Sequence, residues 1–162
     1  MRKAYISIAS LLLFGSVLMA QSPANRTAKT IAADVLAQMP AEKQAEYNKM
    51  INDLKGTGEE GVLMLVNMIN APGKGSNAQV DYALSGLTHY VMAKGEESAR
   101  LATANAYLKA LDLVTERETK AFIIRQLQIL GQDECIDALS AYLGDESLSG
   151  PASRALAAIG SE

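Results

Sequence analysis

The chain has 162 residues, 15 basic and 18 acidic side chains, a formal charge of −3 and 49% hydrophobic residues. Net acidity without a basic run excludes, by overall charge, a binder of nucleic acid phosphates or of an anionic membrane surface, since both rest on clustered Lys and Arg. The lone cysteine, Cys135, cannot close an internal disulfide, so stability must come from a buried core, which a chain of this length can supply.

The first twenty residues differ from the rest. Met1-Arg2-Lys3 is a short basic start, Ile6 to Leu18 is mostly apolar, and Ala20 precedes Gln21-Ser22-Pro23. This is the pattern of a secretory signal peptide cleaved after Ala20. A spanning helix needs roughly 20 apolar residues; this run is shorter and is broken by Ser7, Ser10, Gly15 and Ser16. No cysteine near the cleavage position offers a lipid anchor. Cleavage removes Arg2 and Lys3 and no acids, leaving 13 basic against 18 acidic side chains, a charge of −5, and no stable membrane span. The expected location is outside the cytoplasm, periplasmic or extracellular.

Every later segment reads at helical period. Ile31, Val35 and Met39 form the first stripe, ended by Pro40; Tyr47, Met50, Ile51 and Leu54 form the second. Val62, Leu65, Val66 and Ile69 follow, stopped by Ala71-Pro72-Gly73, and then Val80, Leu84, Leu87 and Val91 before Gly95. Leu101, Ala104, Leu108 and Leu111 make the fifth stripe, and Ile123, Leu127 and Leu130 the sixth, before Gly131. Ile136, Leu139 and Leu143 precede Gly144; Ala152, Ala155, Leu156 and Ile159 precede Gly160. Such stripes are helix faces that must be buried. No run alternates with period two, so the reading is eight helices in four hairpins and no strands. Ser76 with Gln79 and Thr115 with Glu118 have capping-box spacing. Gly95, Gly131, Gly144 and Gly160 stand where a left-handed C′ residue ends a helix, and Pro151 suits a first turn.

The segments repeat. Gly58-Glu59-Glu60, Gly95-Glu96-Glu97 and Gln132-Asp133-Glu134 each open a helix and lie 37 residues apart both times. Acids in a first turn favour the positive end of the helix dipole. The same offset aligns Leu65 with Ala102 and Leu139, and Ile69 with Ala106 and Leu143. A second echo sets Arg125-x-Leu127-x-x-Leu130-Gly131 against Arg154-x-Leu156-x-x-Ile159-Gly160.

On these residues the chain resembles the HEAT and phycobilisome-lyase-type HEAT-like repeat families. The resemblance is carried by Asp133-Glu134, by Ile136-x-x-Leu139-x-x-x-Leu143 and by Ala152-x-x-Ala155-Leu156-x-x-Ile159-Gly160. It is good over residues 120–160, moderate over 59–113 and weak before 57. Lys120 stands where these repeats often carry a basic residue early in the second helix; Ser149 stands there in the last repeat, a departure. Tetratricopeptide repeats fit less well, because their 34-residue period and the Pro after each second helix are missing. The resemblance implies an all-α, right-handed α-solenoid (an α-α superhelix) of about four helix hairpins. Residues 21–57 are then a divergent or capping hairpin, and 58–162 the HEAT-like repeats. It further implies that second helices line a concave face where protein or peptide partners bind, with Asp81, His89, Arg117, Arg125, Gln128 and Arg154 as candidates.

Chemistry is sparse. Gly56-x-Gly58-x-x-Gly61 matches a dinucleotide fingerprint in form, but a helix precedes it and Glu59 and Glu60 repel phosphate, so it reads as a turn. His89 is the only histidine, expected at the edge of the buried face. Cys135 reads as a small inert residue among Asp133, Glu134 and Asp137, which lack the oxygen-ligand pattern of a calcium loop. Met64 and Met68 read as core filler, and Asn25-Arg26-Thr27 as a sequon in form only. No catalytic residues, metal ligands or cofactor site are assigned.

Terminal repeats usually need a polar cap, and the last stripe shows none. An apolar flank over residues 120–160 is therefore expected, for a further part of a longer chain, a partner, or self-stacking. Two function classes follow: an exported, non-catalytic interaction or scaffolding module, or a helical accessory domain of a larger secreted enzyme or a lyase- or chaperone-like subunit.

Overall fold

A computed structural model describes residues 26–160. The segment 1–20, expected to be a signal peptide, lies outside the described residues, as does part of the sequon. Within them the chain is all-helical: α1 (Ala28–Gln38), α2 (Gln44–Lys55), α3 (Gly58–Val66), α4 (Ala78–Tyr90), α5 (Glu97–Leu113), α6 (Arg117–Leu130), a 3-10 turn (Asp133–Cys135), α7 (Ile136–Ser140) and α8 (Ser149–Ile159). Each of the eight stripes lands on a helix, and no strand occurs among the described residues. None of these helices is long and apolar enough to cross a membrane.

Two series of helices enclose the core. In one, α1 packs on α3 and α3 on α5; in the other, α2 packs on α4, α4 on α6 and α6 on α8. Contacts within the pairs α1–α2, α5–α6 and α7–α8 join the series. Ile51, Leu65, Leu84, Tyr107, Ile123 and Leu127 are among the fully buried side chains between them. Close helix packing suits a core of Ala and Leu, and Ala32, Ala83, Ala104, Ala106, Ala152 and Ala155 are all buried at helix contacts.

Several local expectations give way to tertiary contacts. Neither capping box forms. The Ser76 hydroxyl accepts from Ala78 N at 3.3 Å instead of pairing with Gln79, and the N-cap residue of α6 is Glu116, with no side-chain cap, so Thr115 is not its cap. Asn77, the residue before α4, is turned to Asn70, accepting from its N–H at 2.7 Å and donating to its carbonyl at 2.9 Å. That clasp closes the 70–77 connection.

Of the four predicted C′ glycines, only Gly95 has positive φ; Gly131 (φ −72°) and Gly160 (φ −77°) do not, and Gly144 is also outside that set. At the end of α6 the Arg100 guanidinium takes the Leu130 carbonyl at 2.7 Å, which removes the need for a left-handed cap. Gly131 serves a different purpose there. A Cβ on it would lie 2.6 Å from the Leu127 carbonyl and 2.9 Å from the Cys135 sulfur.

The 37-residue alignment fits the helix starts better than the buried faces. Leu65 and Leu139 are buried but Ala102 is exposed; Ala106 is buried while Leu143 is exposed. One residue further along, Arg100, Thr103 and Ala104 take the buried positions that Val62, Leu65 and Val66 hold in α3. Leu101, assigned to the α5 stripe, consequently faces solvent, and Met68, read as filler, is exposed where α3 has already ended. Lys120 donates from Nζ to the Leu111 carbonyl and to the Tyr142 hydroxyl, so it ties the end of α5 to the segment after α7.

Candidate functional site

Two grooves adjoin on the α2–α4–α6 series. The first, about 410 Å³, runs between α2 and α4 and is lined by Tyr47, Ala78, Asp81, Tyr82, Ser85, Gly86 and His89. The second, about 340 Å³, lies between α4, α6 and the 70–77 connection; its lining includes Asn70, Pro72, Asn77, Asp81, Glu118, Phe122 and Arg125. Asp81 belongs to both and forms the ridge between them.

The helical repeat builds the first groove. Asp81, Tyr82, Ser85 and His89 fall on one side of α4, and eight residues at 1.5 Å each separate Asp81 from His89 by about 12 Å along the axis. Opposite, Tyr47 on α2 meets Tyr82 edge to face, with ring centroids 5.8 Å apart and planes at 78°. Gly86 is the floor: a Cβ there would fall 2.4 Å from the Tyr47 hydroxyl and 2.9 Å from Ile51 Cδ1. Only glycine lets α4 approach α2 this closely. Gly86→Ala is expected to swing Tyr47 outward, break the ring pair and destabilise the fold by about 1–2 kcal/mol, the usual cost of overpacking. A urea denaturation curve and the near-ultraviolet circular dichroism of the tyrosines check both effects.

Electrostatics single out Asp81. Burial pushes its carboxyl above the usual aspartate range, and the Arg125 charge only partly opposes this. The Arg125 guanidinium stacks on Phe122, 5.9 Å from the ring centroid, and makes no ion pair with Asp81. Burial, followed by the proximity of Tyr82, likewise raises the Tyr47 phenol. Between Ser85 on α4 and Gln126 on α6 runs one long hydrogen bond of 3.4 Å, and the Gln126 Oε1 is buried without a partner.

The six candidate residues divide. Asp81, His89 and Arg125 line the grooves, His89 as an exposed residue at the far end of the first. Arg117 instead donates to Ser147 Oγ at 2.7 Å and ties the start of α6 to the turn before α8. Gln128 is half-buried and Arg154 exposed, and neither lines a groove with the others. Sequence reasoning missed Tyr82, Ser85 and Gly86. Tyr82, Ser85 and His89 at i, i+3 and i+7 were the available signal: a polar and aromatic stripe beside the apolar one.

Elsewhere, Cys135 is fully buried, and burial together with the Glu134 charge pushes its thiol up to about 11. Glu134 is engaged by Arg100 at 2.6 Å. Asp145 accepts from the Ser147 and Leu148 N–H groups, which hold its carboxyl below the usual range. The expected turn at Gly56-x-Gly58-x-x-Gly61 is confined to residues 56 and 57: Gly58, at φ +58°, opens α3, and Gly61 is buried within it. Ile136 and Leu143 are 39% and 47% exposed, an apolar flank beside α8, where Leu156 and Ile159 are half-buried. Among the described residues no group of three or more His, Cys, Asp or Glu could hold a metal ion.

No family model matches the chain, and comparison with curated proteins and with solved structures finds no match either.

Proposed function

We propose that this chain is an exported, non-catalytic protein–protein interaction or scaffolding module: a right-handed α-solenoid of HEAT-like repeats that binds a protein or peptide through the α2–α4–α6 face. The reading of a solenoid is supported by the packing of each of these helices on the one two places further along, the arrangement expected of stacked hairpins. Export rests on the residue pattern of positions 1–20. The observation that carries the binding role is the pair of adjoining grooves sharing Asp81, with aromatic walls at Tyr47, Tyr82 and Phe122. Aromatic residues with a few placed polar groups are what binding surfaces concentrate.

Site-specific photo-crosslinking in the cells that make the protein tests the proposal. Benzoylphenylalanine replaces Tyr82 or Arg125 in the grooves, Leu63 on α3 or Leu101 on α5 as controls, and Leu143 on the apolar flank. Adducts to one other protein from positions 82 and 125, and none from 63 and 101, are the expected result. Adducts between two copies from position 143 alone would replace groove binding with self-stacking. No adduct from either groove position defeats the proposal.

A further inference from the structure

Among the described residues, half-buried carboxylates have partners, with one exception. Asp34 and Asp53 pair with Arg26, Glu96 with Lys55 and Glu134 with Arg100. Asp145 accepts two backbone N–H groups. Asp81, half-buried like them, has neither an ion pair nor a hydrogen bond to its carboxylate among the described residues. A charge taken partly out of water without compensation is unfavourable, and here it lies on a groove wall and not in the core. Arg125 offsets that cost only in part, and a cation brought from outside would complete the compensation.

The groove suits one. Its lining contains no Lys or Arg, and Arg125 lies in the adjoining groove, stacked on Phe122. Beside Asp81 stands the Tyr47–Tyr82 pair, with Tyr82 44% exposed. Tyrosine faces attract a lysine ammonium or an arginine guanidinium. The protein already uses this contact internally, with Lys55 5.3 Å from the Tyr90 ring centroid and Lys120 5.3 Å from that of Tyr142. Lys55 there pairs with a carboxylate as well, Glu96 at 2.7 Å. The Asp81 groove repeats that combination of carboxylate and tyrosine with the cation left out. The Ser85 hydroxyl on the same wall can accept a further N–H.

We infer that the groove between α2 and α4 receives a lysine or arginine side chain of the partner, held between the Asp81 carboxylate and the Tyr47–Tyr82 rings. This rests on the binding role proposed above and narrows it to a basic segment.

The test is a nuclear magnetic resonance titration of the purified protein with short Gly-Ser peptides. They carry one central arginine, lysine, citrulline or acetyl-lysine. The last two keep the shape and lose the charge. Peptide is added up to about 10 mM, the range in which a single paired cation is still detected. Saturable shifts of the Tyr82, Ser85 and Gly86 amides with the arginine and lysine peptides, and none with the neutral ones, are expected. Asp81→Asn should weaken those shifts roughly fivefold while leaving the urea midpoint unchanged or raised, because the carboxylate makes no internal pair. Equal shifts from the citrulline peptide, no shift from either cationic peptide, or an Asp81→Asn protein that titrates like the parent would each overturn the inference. Those failures are separable from failure of the binding role: crosslinks from position 82 that persist in the Asp81→Asn protein would leave the role standing with a different chemistry.

Discussion

Replacing Tyr107 by alanine is expected to lower the unfolding free energy by about 4 kcal/mol, the range for losing a large aromatic side chain from a packed core. Tyr107 is the largest fully buried side chain among the described residues. It lies on α5 and reaches across to α4, where its hydroxyl lies 3.1 Å from the Leu84 carbonyl and 3.0 Å from the Thr88 hydroxyl. Thr88 also lies within 3.0 Å of the Leu84 carbonyl. Each hydroxyl can donate to the Leu84 carbonyl, whose two lone pairs accept both, and either can instead donate to the other hydroxyl. Tyr107→Phe keeps the ring and loses the hydroxyl, and about 1 kcal/mol is the expected cost. Thr88→Val should cost a similar amount, and the double variant less than the sum, since removing both hydroxyls leaves neither unpaired. Urea denaturation of the four proteins measures the series; an alanine variant within about 1 kcal/mol of the phenylalanine one would mean that the site collapses to fill the space.

The same tyrosine predicts an alkaline limit. Burial holds its phenol well above the usual value, and the hydrogen bond with Thr88 only partly offsets this. A group raised in the folded state contributes stability that is whole below its unfolded pKa of about 10 and declines as pH rises toward the folded value. Stability should therefore fall above about pH 10, and fall less steeply in Tyr107→Phe. The residual slope belongs in part to Tyr47, whose phenol is also raised.

Arg100→Met is expected to cost about 3 kcal/mol, in the range for breaking a buried ion pair by removing one partner. Arg100 is 9% exposed, on the first turn of α5. Its guanidinium binds the last carbonyl of α6 at 2.7 Å and the Glu134 carboxylate at 2.6 Å, joining three consecutive segments at one point. Methionine fills the space of the stem but leaves both acceptors without their donor. Burial by itself raises the Glu134 carboxyl; hydrogen bonds from Arg100 and from the backbone outweigh it and leave the carboxyl below the usual glutamate range. A depressed carboxyl stabilises above its unfolded pKa of about 4.3 and loses that contribution as pH falls through the folded value. The parent protein should thus lose stability on acidification below about pH 4, and Arg100→Met should lose less. Thermal unfolding at neutral and acid pH separates the two slopes; parallel slopes would show that Glu134 is not coupled to Arg100.

Much of this was legible in the residues, and the limits have a common cause. The stripes at Ile31, Tyr47, Val62, Val80, Ile123 and Ala152 marked real helices because period and stop signals are local properties. The α5 stripe failed at its first member alone: Ala104 and Leu111 are buried and Leu108 packs on the core, but Leu101 is exposed. Apolarity pointed to Leu101, while the residue actually buried is Arg100, whose charge is satisfied by groups 30 and 34 places away. Capping failed for a similar reason: Asn77 was already committed to Asn70. Asp81, His89 and Arg125 were found as polar positions on second helices, but no local feature told them apart from Arg117, Gln128 and Arg154, which the fold sends elsewhere.

By itself, then, the order of residues determined the all-helical class, the number of helices, their approximate ends and the net-acidic surface, because helical period, breakers and charge are read within a few residues. Only the tertiary structure decided which half-buried carboxylates are paired and which one, Asp81, is not. Tyr47 meets Tyr82, and Asp81 feels Arg125, across long stretches of chain. The close approach of α2 and α4 over Gly86 brings the rings and the unpaired carboxylate into one groove, and that approach is a property of packing, not of any segment alone.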